Sequence, residues 1–188
     1  MHIIDLLPQE KNLIEQTARL LHEAFREHWP RAWPDLESAQ REVEESFGED
    51  RLSRIAIDEG GKVLGWIGGI RMYDGHVWEL HPLVVNPEAQ GRGVGRALVK
   101  DLEERVRQRG GLTLWLGTDD EDNQTSLAGT DLYPNVFAHL ANIKNLRRHP
   151  YEFYQKLGFV IVGVMPDANG LGKPDIYMAK RVAGKESL

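Results

Sequence analysis

The chain has 188 residues, of which 41% are apolar and 28% charged, and its formal net charge is −6. This length predicts a single domain over residues 1–188 with a sizeable core. The absence of cysteine excludes disulfides, thiolate metal sites and an acyl-cysteine intermediate. The acidic balance argues against a nucleic-acid surface and tolerates cationic partners. Because we find neither a signal-peptide core nor an apolar run of membrane length, we expect a cytoplasmic protein without a membrane partner.

The first part of the chain predicts two helices followed by strands. Apolar residues recur at helical spacing over about 8–28, which predicts a helix that ends near Trp29-Pro30. A weaker pattern predicts a second helix over about 36–47. The predicted strands are Leu52 to Asp58 and Val63 to Tyr73, which flank a turn at residues 59–62, and Val77 to Val85.

A glycine-rich loop follows the strand that ends at Val85. The loop reads Gln90-Gly91-Arg92-Gly93-Val94-Gly95 and opens a predicted helix over about 93–109. Glycine lets backbone amides approach a ligand, and a helix N-terminus adds unpaired N–H donors, so this loop is a candidate phosphate cradle. Its spacing fits neither a P-loop nor a Rossmann loop. The alternative interpretation is that the loop is a flexible, glycine-containing turn between strand and helix, without a ligand.

The second half predicts a strand, a long acidic insert and a helix with two strands. The strand covers Leu112 to Leu116, and the stretch after Thr118 is too acidic for a buried strand. The insert covers about 118–148, and Val136, Phe137, Leu140 and Ile143 predict a short amphipathic helix within it. The remaining predictions are a helix from Pro150 to Leu157 ended by Gly158, strands at Phe159 to Val164 and Ile176 to Lys180, and a turn at 167–170. This order predicts an α/β protein whose mixed sheet is covered on both faces.

The glycine loop is similar to the acyl-CoA loop Q/R-x-x-G-x-G/A of the GNAT N-acetyltransferases. Four further blocks resemble aminoglycoside 6′-N-acetyltransferases, in particular the chromosomally encoded type with a long acidic insert. In that type the glycine loop can be degenerate, whereas this chain keeps the full superfamily form. The blocks are Glu79-Leu80-His81-Pro82-Leu83-Val84-Val85, Leu116-Gly117-Thr118-Asp119-Asp120, His149-Pro150-Tyr151-Glu152-Phe153-Tyr154 and Lys173-Pro174-Asp175-Ile176-Tyr177-Met178-Ala179-Lys180.

The resemblance implies a GNAT fold, with a mixed, mostly antiparallel central sheet and helices on both faces. It implies direct acetyl transfer from acetyl-CoA to the 6′-amine of an aminoglycoside in a ternary complex. It also implies a homodimer, to which the C-terminal strands could supply the contact. We expect no metal, because the seven histidines lack paired spacing.

The resemblance also assigns candidate catalytic and acetyl-CoA-binding residues. Glu79 would accept a proton from the amine, and His81 could hold water in a proton chain. The Leu83 backbone N–H, freed by a strand bulge, would bind the thioester carbonyl, and Tyr154 would protonate the leaving thiolate. Glu79 could instead be a surface glutamate, and His81 and Tyr154 could be packed rings; the role of Leu83 is given by the resemblance alone. The expected acetyl-CoA-binding residues are Leu83, Val84, Val85, Gln90, Gly91, Arg92, Gly93, Val94, Gly95, Arg96 and Tyr154. The two arginines could equally well lie on a solvent-exposed face of the helix without binding a ligand.

The expected acceptor-binding residues are carboxylates, because the implied acceptor is a polycation. Glu79 and the run Asp119-Asp120-Glu121 are the main candidates, and Asp122 is a weaker one. More remotely, Asp175, Trp29, Trp33 and Asp35 could complete an acceptor wall. Two other functions stay open: acetylation of a polyamine or basic peptide, and a non-catalytic acyl-CoA-binding module.

Overall fold

A computed structural model describes residues 1–26, 29 and 31–184. The sheet has seven strands in the order β1-β2-β3-β4-β5-β7-β6. The ladders β1–β2, β2–β3, β3–β4 and β6–β7 are antiparallel. The strands are β1 (His2–Asp5), β2 (Arg51–Ile57), β3 (Val63–Met72), β4 (Val77–Val85), β5 (Thr113–Asp119), β6 (Val160–Met165) and β7 (Asp175–Arg181), and the helices are α1 (Lys11–Phe25), α2 (Leu36–Glu45), α3 (Val94–Gln108), α4 (Val136–Ala141) and α5 (Tyr151–Gln155).

The chain forms two compact units, which we describe separately. The first comprises Met1–Leu114 and the segment that begins at Val182, and the second comprises Trp115–Arg181. No described helix has the length and apolar content needed to cross a bilayer.

Helices cover both faces of the sheet in the first unit, as the sequence predicts. Trp66 of β3 belongs to a core cluster that also contains Leu21 of α1 and Val43 of α2. The neighbouring Gly65 faces the other way, since a Cβ there would lie 3.0 Å from Leu98 of α3. Successive residues of a strand point to opposite faces, so β3 separates these two layers.

Local hydrogen bonds explain where the early elements begin and turn. Asp35 accepts from the backbone N–H of Ser38 at 2.8 Å, and the Ser38 hydroxyl accepts from the N–H of Asp35, which forms a capping box for α2. The Asp58 carboxylate accepts from the N–H groups of Gly60 and Lys62 at the β2–β3 turn, each at 2.9 Å. These polar residues define the boundaries that the sequence predicts.

The structure corrects the predicted secondary structure at two strands and confirms a predicted helix. The strand β1 was not predicted, because its four residues are only partly buried and show no clear alternation. The strand β5 continues to Asp119 rather than ending at Leu116, because Thr118 points inward while Asp119 points outward. The predicted helix in the insert is confirmed as α4, but none of its residues is buried, and Phe137 is 84% exposed. The first helix was predicted to end near Trp29-Pro30, and residues 27, 28 and 30 of that region lie outside the described residues.

A buried ion-pair network joins three elements of the first unit. Arg54 of β2 is 2% exposed, and its guanidinium donates to both carboxylate oxygens of Asp101 on α3, at 2.7 and 3.1 Å. It also pairs with Asp5 of β1 at 2.5 Å and donates to the Ile3 carbonyl at 3.3 Å. Without these oxygens the buried guanidinium would keep its desolvation penalty and lose the favourable interactions that offset this penalty.

We therefore expect Asp101→Ala to destabilise the protein by about 3 kcal/mol, because it leaves Arg54 buried with only part of its pairing. The free energy of unfolding is measured by urea denaturation. Glu37→Ala is the matched control, since it breaks an exposed helical ion pair with Arg41 and should cost at most about 0.5 kcal/mol. Equal losses in the two variants would contradict the importance of the Arg54 network.

Candidate active site

The strand β4 contains one extra residue where the candidate catalytic residues lie. Leu80 pairs with Gly69 and Leu83 pairs with Ile67, so three steps along β4 match two along β3. The register shift falls at His81-Pro82, whose peptide bond is cis. This is the bulge that the family resemblance implies next to Leu83.

Gly68 makes room for this bulge. A Cβ at Gly68 would lie 2.2 Å from the carbonyl oxygen of His81, a distance that no real side chain tolerates. Glycine is therefore the only residue that lets the two backbones approach so closely. The sequence shows the two adjacent glycines of β3 but not what they face.

Glu79 lies in the regular part of β4, opposite Ile70, and its side chain is half-buried. Desolvation raises the pKa of Glu79, and interactions with the nearby His81 and Arg51 offset part of this rise. A carboxyl group whose pKa is raised toward neutrality is a stronger base than an exposed one. It is therefore better suited to accept a proton.

Beside Glu79, His81 contacts two residues that the sequence analysis did not connect with it. Its Nε2 atom lies 3.8 Å from Oε1 of Glu42 on α2, and its ring centroid lies 6.0 Å from that of Trp33. The indole N–H of Trp33 donates to the other Glu42 oxygen at 3.3 Å. No sequence pattern could have found Glu42, because only the packing of α2 brings it to β4.

Two of the residues suggested for an acceptor wall near the N-terminus have structural roles. Trp33 is buried in the core cluster, and the Asp35 carboxylate caps α2. Trp29 packs its ring against Phe25, with centroids 5.4 Å apart. These contacts give Trp33 and Asp35 structural roles, so we do not place them against an acceptor.

The glycine loop leads from β4 into α3 with its backbone open. Gly91 and Gly93 have positive φ angles of 72° and 86°, and a Cβ on either would meet no atom within 4 Å. Gly93 is the N-cap of α3, and no side chain caps the helix. The first N–H groups of α3 therefore lack the side-chain partner that a capping residue would supply, and they remain suited to an anion. These features fit the pyrophosphate of CoA.

The remaining loop residues divide into supporting and flanking ones. The Gln90 amide donates to the carbonyl of Val85 at 3.3 Å, which ties the loop to the end of β4. Val84 and Val94 are buried, so only their backbone groups can face a ligand. Arg92 and Arg96 are exposed on either side of the loop.

The acidic residues after β5 are not equivalent. Asp120 is 1% exposed, and its two carboxylate oxygens accept from the N–H groups of Gln124 and Thr125, each at 2.7 Å. Asp119 is partly exposed and accepts from the side-chain amide of Asn169. Glu121 lies 3.8 Å from the ammonium group of Lys173. Asp120 thus organises the insert itself, and we do not place it in direct contact with an acceptor.

Tyr154 is buried on α5 between two aromatic rings. Its ring centroid lies 5.1 Å from that of Phe153 and 5.6 Å from that of Phe159. Burial raises the pKa of Tyr154 above that of a free phenol, so its hydroxyl keeps its proton at neutral pH. The hydroxyl can therefore donate a hydrogen bond, and the ring also has a packing role.

Several solved structures resemble this chain over nearly its whole length. Residues 14–128 match the family model described as "Acetyltransferase (GNAT) family". The chain is 43% identical to an aminoglycoside 6′-N-acetyltransferase solved in complex with coenzyme A, with a TM-score of 0.89, and the match covers 98% of this chain and 99% of that one. An aminoglycoside 6′-N-acetyltransferase from Enterococcus faecium shows the same identity and coverage, with a TM-score of 0.88. An aminoglycoside 6′-acetyltransferase type Ii is 34% identical over the same shares, with a TM-score of 0.74.

Proposed function

The chain belongs to the acetyltransferase (GNAT) family and is an acetyl-CoA-dependent N-acetyltransferase, and we propose that its acceptor is the 6′-amine of an aminoglycoside. One observation carries this proposal: relatives with that activity match the chain at 43% identity over 98% of its length. A match that includes the insert and both ends of the chain supports the acceptor as well as the fold.

The proposed reaction is a direct transfer in a ternary complex, because the chain has no cysteine to carry an acetyl group. Acetyl-CoA supplies the acetyl group as a thioester. The acceptor nitrogen forms a bond to the acetyl carbon as the C–S bond breaks. Glu79 takes the proton from the nitrogen, directly or through water held near His81.

Two further groups assist this step. The backbone N–H of Leu83, which follows the bulge, donates to the carbonyl oxygen on which negative charge develops. The Tyr154 hydroxyl donates to the sulfur as it leaves. The open amides of residues 91–95 hold the pyrophosphate, and the exposed Arg92 and Arg96 add positive charge.

The insert contributes the acceptor side in this proposal. Asp119 and Glu121 are partly exposed and would bind ammonium groups of the polycation. Lys173 and Asn169 share these carboxylates and would give way to the acceptor. Asp120 supports them through the backbone.

The first prediction on function concerns the glycine loop. Gly93→Asp places a carboxylate beside the amides that would hold the pyrophosphate, so the affinity for acetyl-CoA should fall about 10–100-fold through like-charge repulsion. Isothermal calorimetry measures the change. Gly110→Asp is the control, because Gly110 also has a positive φ and open space but lies beyond the C-terminal end of α3. If Gly93→Asp binds acetyl-CoA as tightly as the wild type does, the pyrophosphate does not bind at this loop.

The second concerns Glu79. Glu79→Gln should lower kcat/KM by about 10²–10⁴-fold, the usual contribution of a positioned base. Because the pKa of Glu79 is raised, the carboxylate becomes protonated as pH falls toward that value and the base is lost. The ratio of wild-type to variant kcat/KM should therefore shrink as the pH falls and reach its full value above the raised pKa.

Glu88→Gln is the control for this pH profile, since Glu88 is an exposed glutamate paired with Lys62. It should leave both the rate and its pH dependence unchanged. A Glu79→Gln enzyme as fast as the wild type at every pH would show that Glu79 does not take the proton.

The third prediction concerns the acceptor. An aminoglycoside with a 6′-amine should be acetylated, whereas its 6′-hydroxyl analogue should not react, since it lacks the nucleophile. Asp119→Asn should raise the aminoglycoside KM and weaken its dependence on salt. Asp131→Asn is the control, because Asp131 is an exposed carboxylate of the same insert that accepts from the Tyr133 N–H at 3.2 Å. If thiol is released with spermine or a lysine peptide but not with aminoglycosides, the family assignment stands and the proposed aminoglycoside acceptor is wrong.

We also propose that the protein forms a homodimer through β6. This strand stands last in the sheet order, contains no charged residue, and exposes Val160 and Val162 by 60% and 59%. A second copy would remove these side chains from water.

The dimer can be tested by light scattering. A Val160→Lys/Val162→Lys double variant should lower the measured mass to that of one chain, because two lysines would have to be desolvated. Leu171→Lys is the control, since Leu171 is 95% exposed but lies outside β6. A wild-type mass equal to one chain would disprove the proposal.

A further inference from the structure

His149 is a buried histidine whose two ring nitrogens both bind backbone groups. The residue is 1% exposed. Its Nε2 atom lies 3.1 Å from the carbonyl oxygen of Asp119, and its Nδ1 atom lies 3.3 Å from the backbone nitrogen of Tyr151. A carbonyl oxygen can only accept and a backbone N–H can only donate. The two bonds therefore require a neutral imidazole with its proton on Nε2.

The charges around His149 do not override this state. The carboxylates of Asp119 and Asp120 and the Asp119 carbonyl favour the imidazolium, while burial disfavours it. Desolvation is the largest effect, so the pKa of His149 is lowered. A proton on Nδ1 would also point at the N–H of Tyr151, which has no lone pair to accept it.

The backbone of His149 is fixed just as firmly. The Asn145 side chain accepts from the N–H of His149 at 2.8 Å and donates to its carbonyl at 2.9 Å. Asn145 itself forms a bridge with Thr125, whose N–H is held by Asp120. His149 thus stands at the end of the insert, while its ring reaches back to the residue where the insert begins.

These bonds connect two groups to which the proposed function gives different tasks. One nitrogen holds the backbone of Asp119, the proposed acceptor carboxylate, and the other holds the first residue of α5, the helix that carries Tyr154. We propose that His149 is a positioning residue, whose neutral imidazole fixes the acceptor-binding end of β5 against the helix of the leaving-group donor. The inference rests on the proposed roles of Asp119 and Tyr154.

The kinetic test compares two substitutions. His149→Phe keeps a ring of similar size but removes both hydrogen bonds, and should lower kcat/KM for the acceptor by about 10–100-fold, as misplacement by about 1 Å does. His149→Gln offers one donor and one acceptor and should recover part of this loss. The affinity for acetyl-CoA should change much less than kcat/KM in either variant, because the proposed pyrophosphate cradle consists of other residues.

Leu127→Ala is the control for a purely structural effect. Leu127 is a buried residue of the same insert that makes no bond to His149. It should lower the melting temperature without changing the acceptor KM. If His149→Phe and Leu127→Ala alter kinetics equally at matched stability, or if neither His149 variant differs from the wild type, the positioning role is wrong.

A spectroscopic test is independent of the acceptor. In ¹⁵N-edited NMR of the wild-type protein, His149 should show a protonated Nε2 and an unprotonated Nδ1 at pH 7. An imidazolium or the opposite tautomer would overturn the inference, even if His149→Phe does not fold. If no aminoglycoside reacts but another amine does, the acceptor proposal fails, and the two variants are assayed with that amine.

Discussion

The close approach of β3 and β4 at Gly68 sets the geometry of the first unit's candidate residues. The carbonyl of His81 occupies the space where a side chain at position 68 would lie. Because of this, β4 can hold an extra residue and still resume pairing at Leu83. Glu79 precedes the irregularity and Leu83 follows it, so one bulge gives a carboxylate and a backbone amide separate positions on the same strand. The strand then ends at Val85, and the glycine loop follows a few residues later.

The acidic insert shows how one run of like residues serves two purposes. A buried carboxylate must be compensated, and Asp120 obtains this from two backbone N–H groups. Those bonds order the chain that follows. The neighbouring Asp119 and Glu121 are partly exposed, and their partners are side chains of the β6–β7 loop, Asn169 and Lys173. The order of the chain that carries the two partly exposed carboxylates therefore depends on the buried carboxylate of Asp120.

Much of the fold could be predicted from local sequence patterns. The candidate site could be predicted only from the family resemblance, and part of it depends on tertiary contacts that no pattern shows. The strand over residues 77–85 and the helix that opens at the glycine loop follow from alternation and periodicity, and both lie where they were predicted. The short strand β1 escapes such patterns because a partner strand defines it. Composition cannot distinguish Asp120 from Asp119, since burial decides between them. Glu42 could not be found at all, because it reaches His81 only through the packing of α2.

Burial acts in opposite directions on the two proposed proton-transfer groups. It raises the pKa of Glu79, which strengthens a base, and it raises the pKa of Tyr154, which weakens an acid. A free phenol is already about 1.5 pKa units above a thiol, so full proton transfer to a thiolate is uphill by about 2 kcal/mol before burial adds to it. A thiolate at neutral pH needs little protonation to leave. In the proposed reaction, Tyr154 is therefore a hydrogen-bond donor to the sulfur rather than a full acid, and the proton transfer is assigned to Glu79.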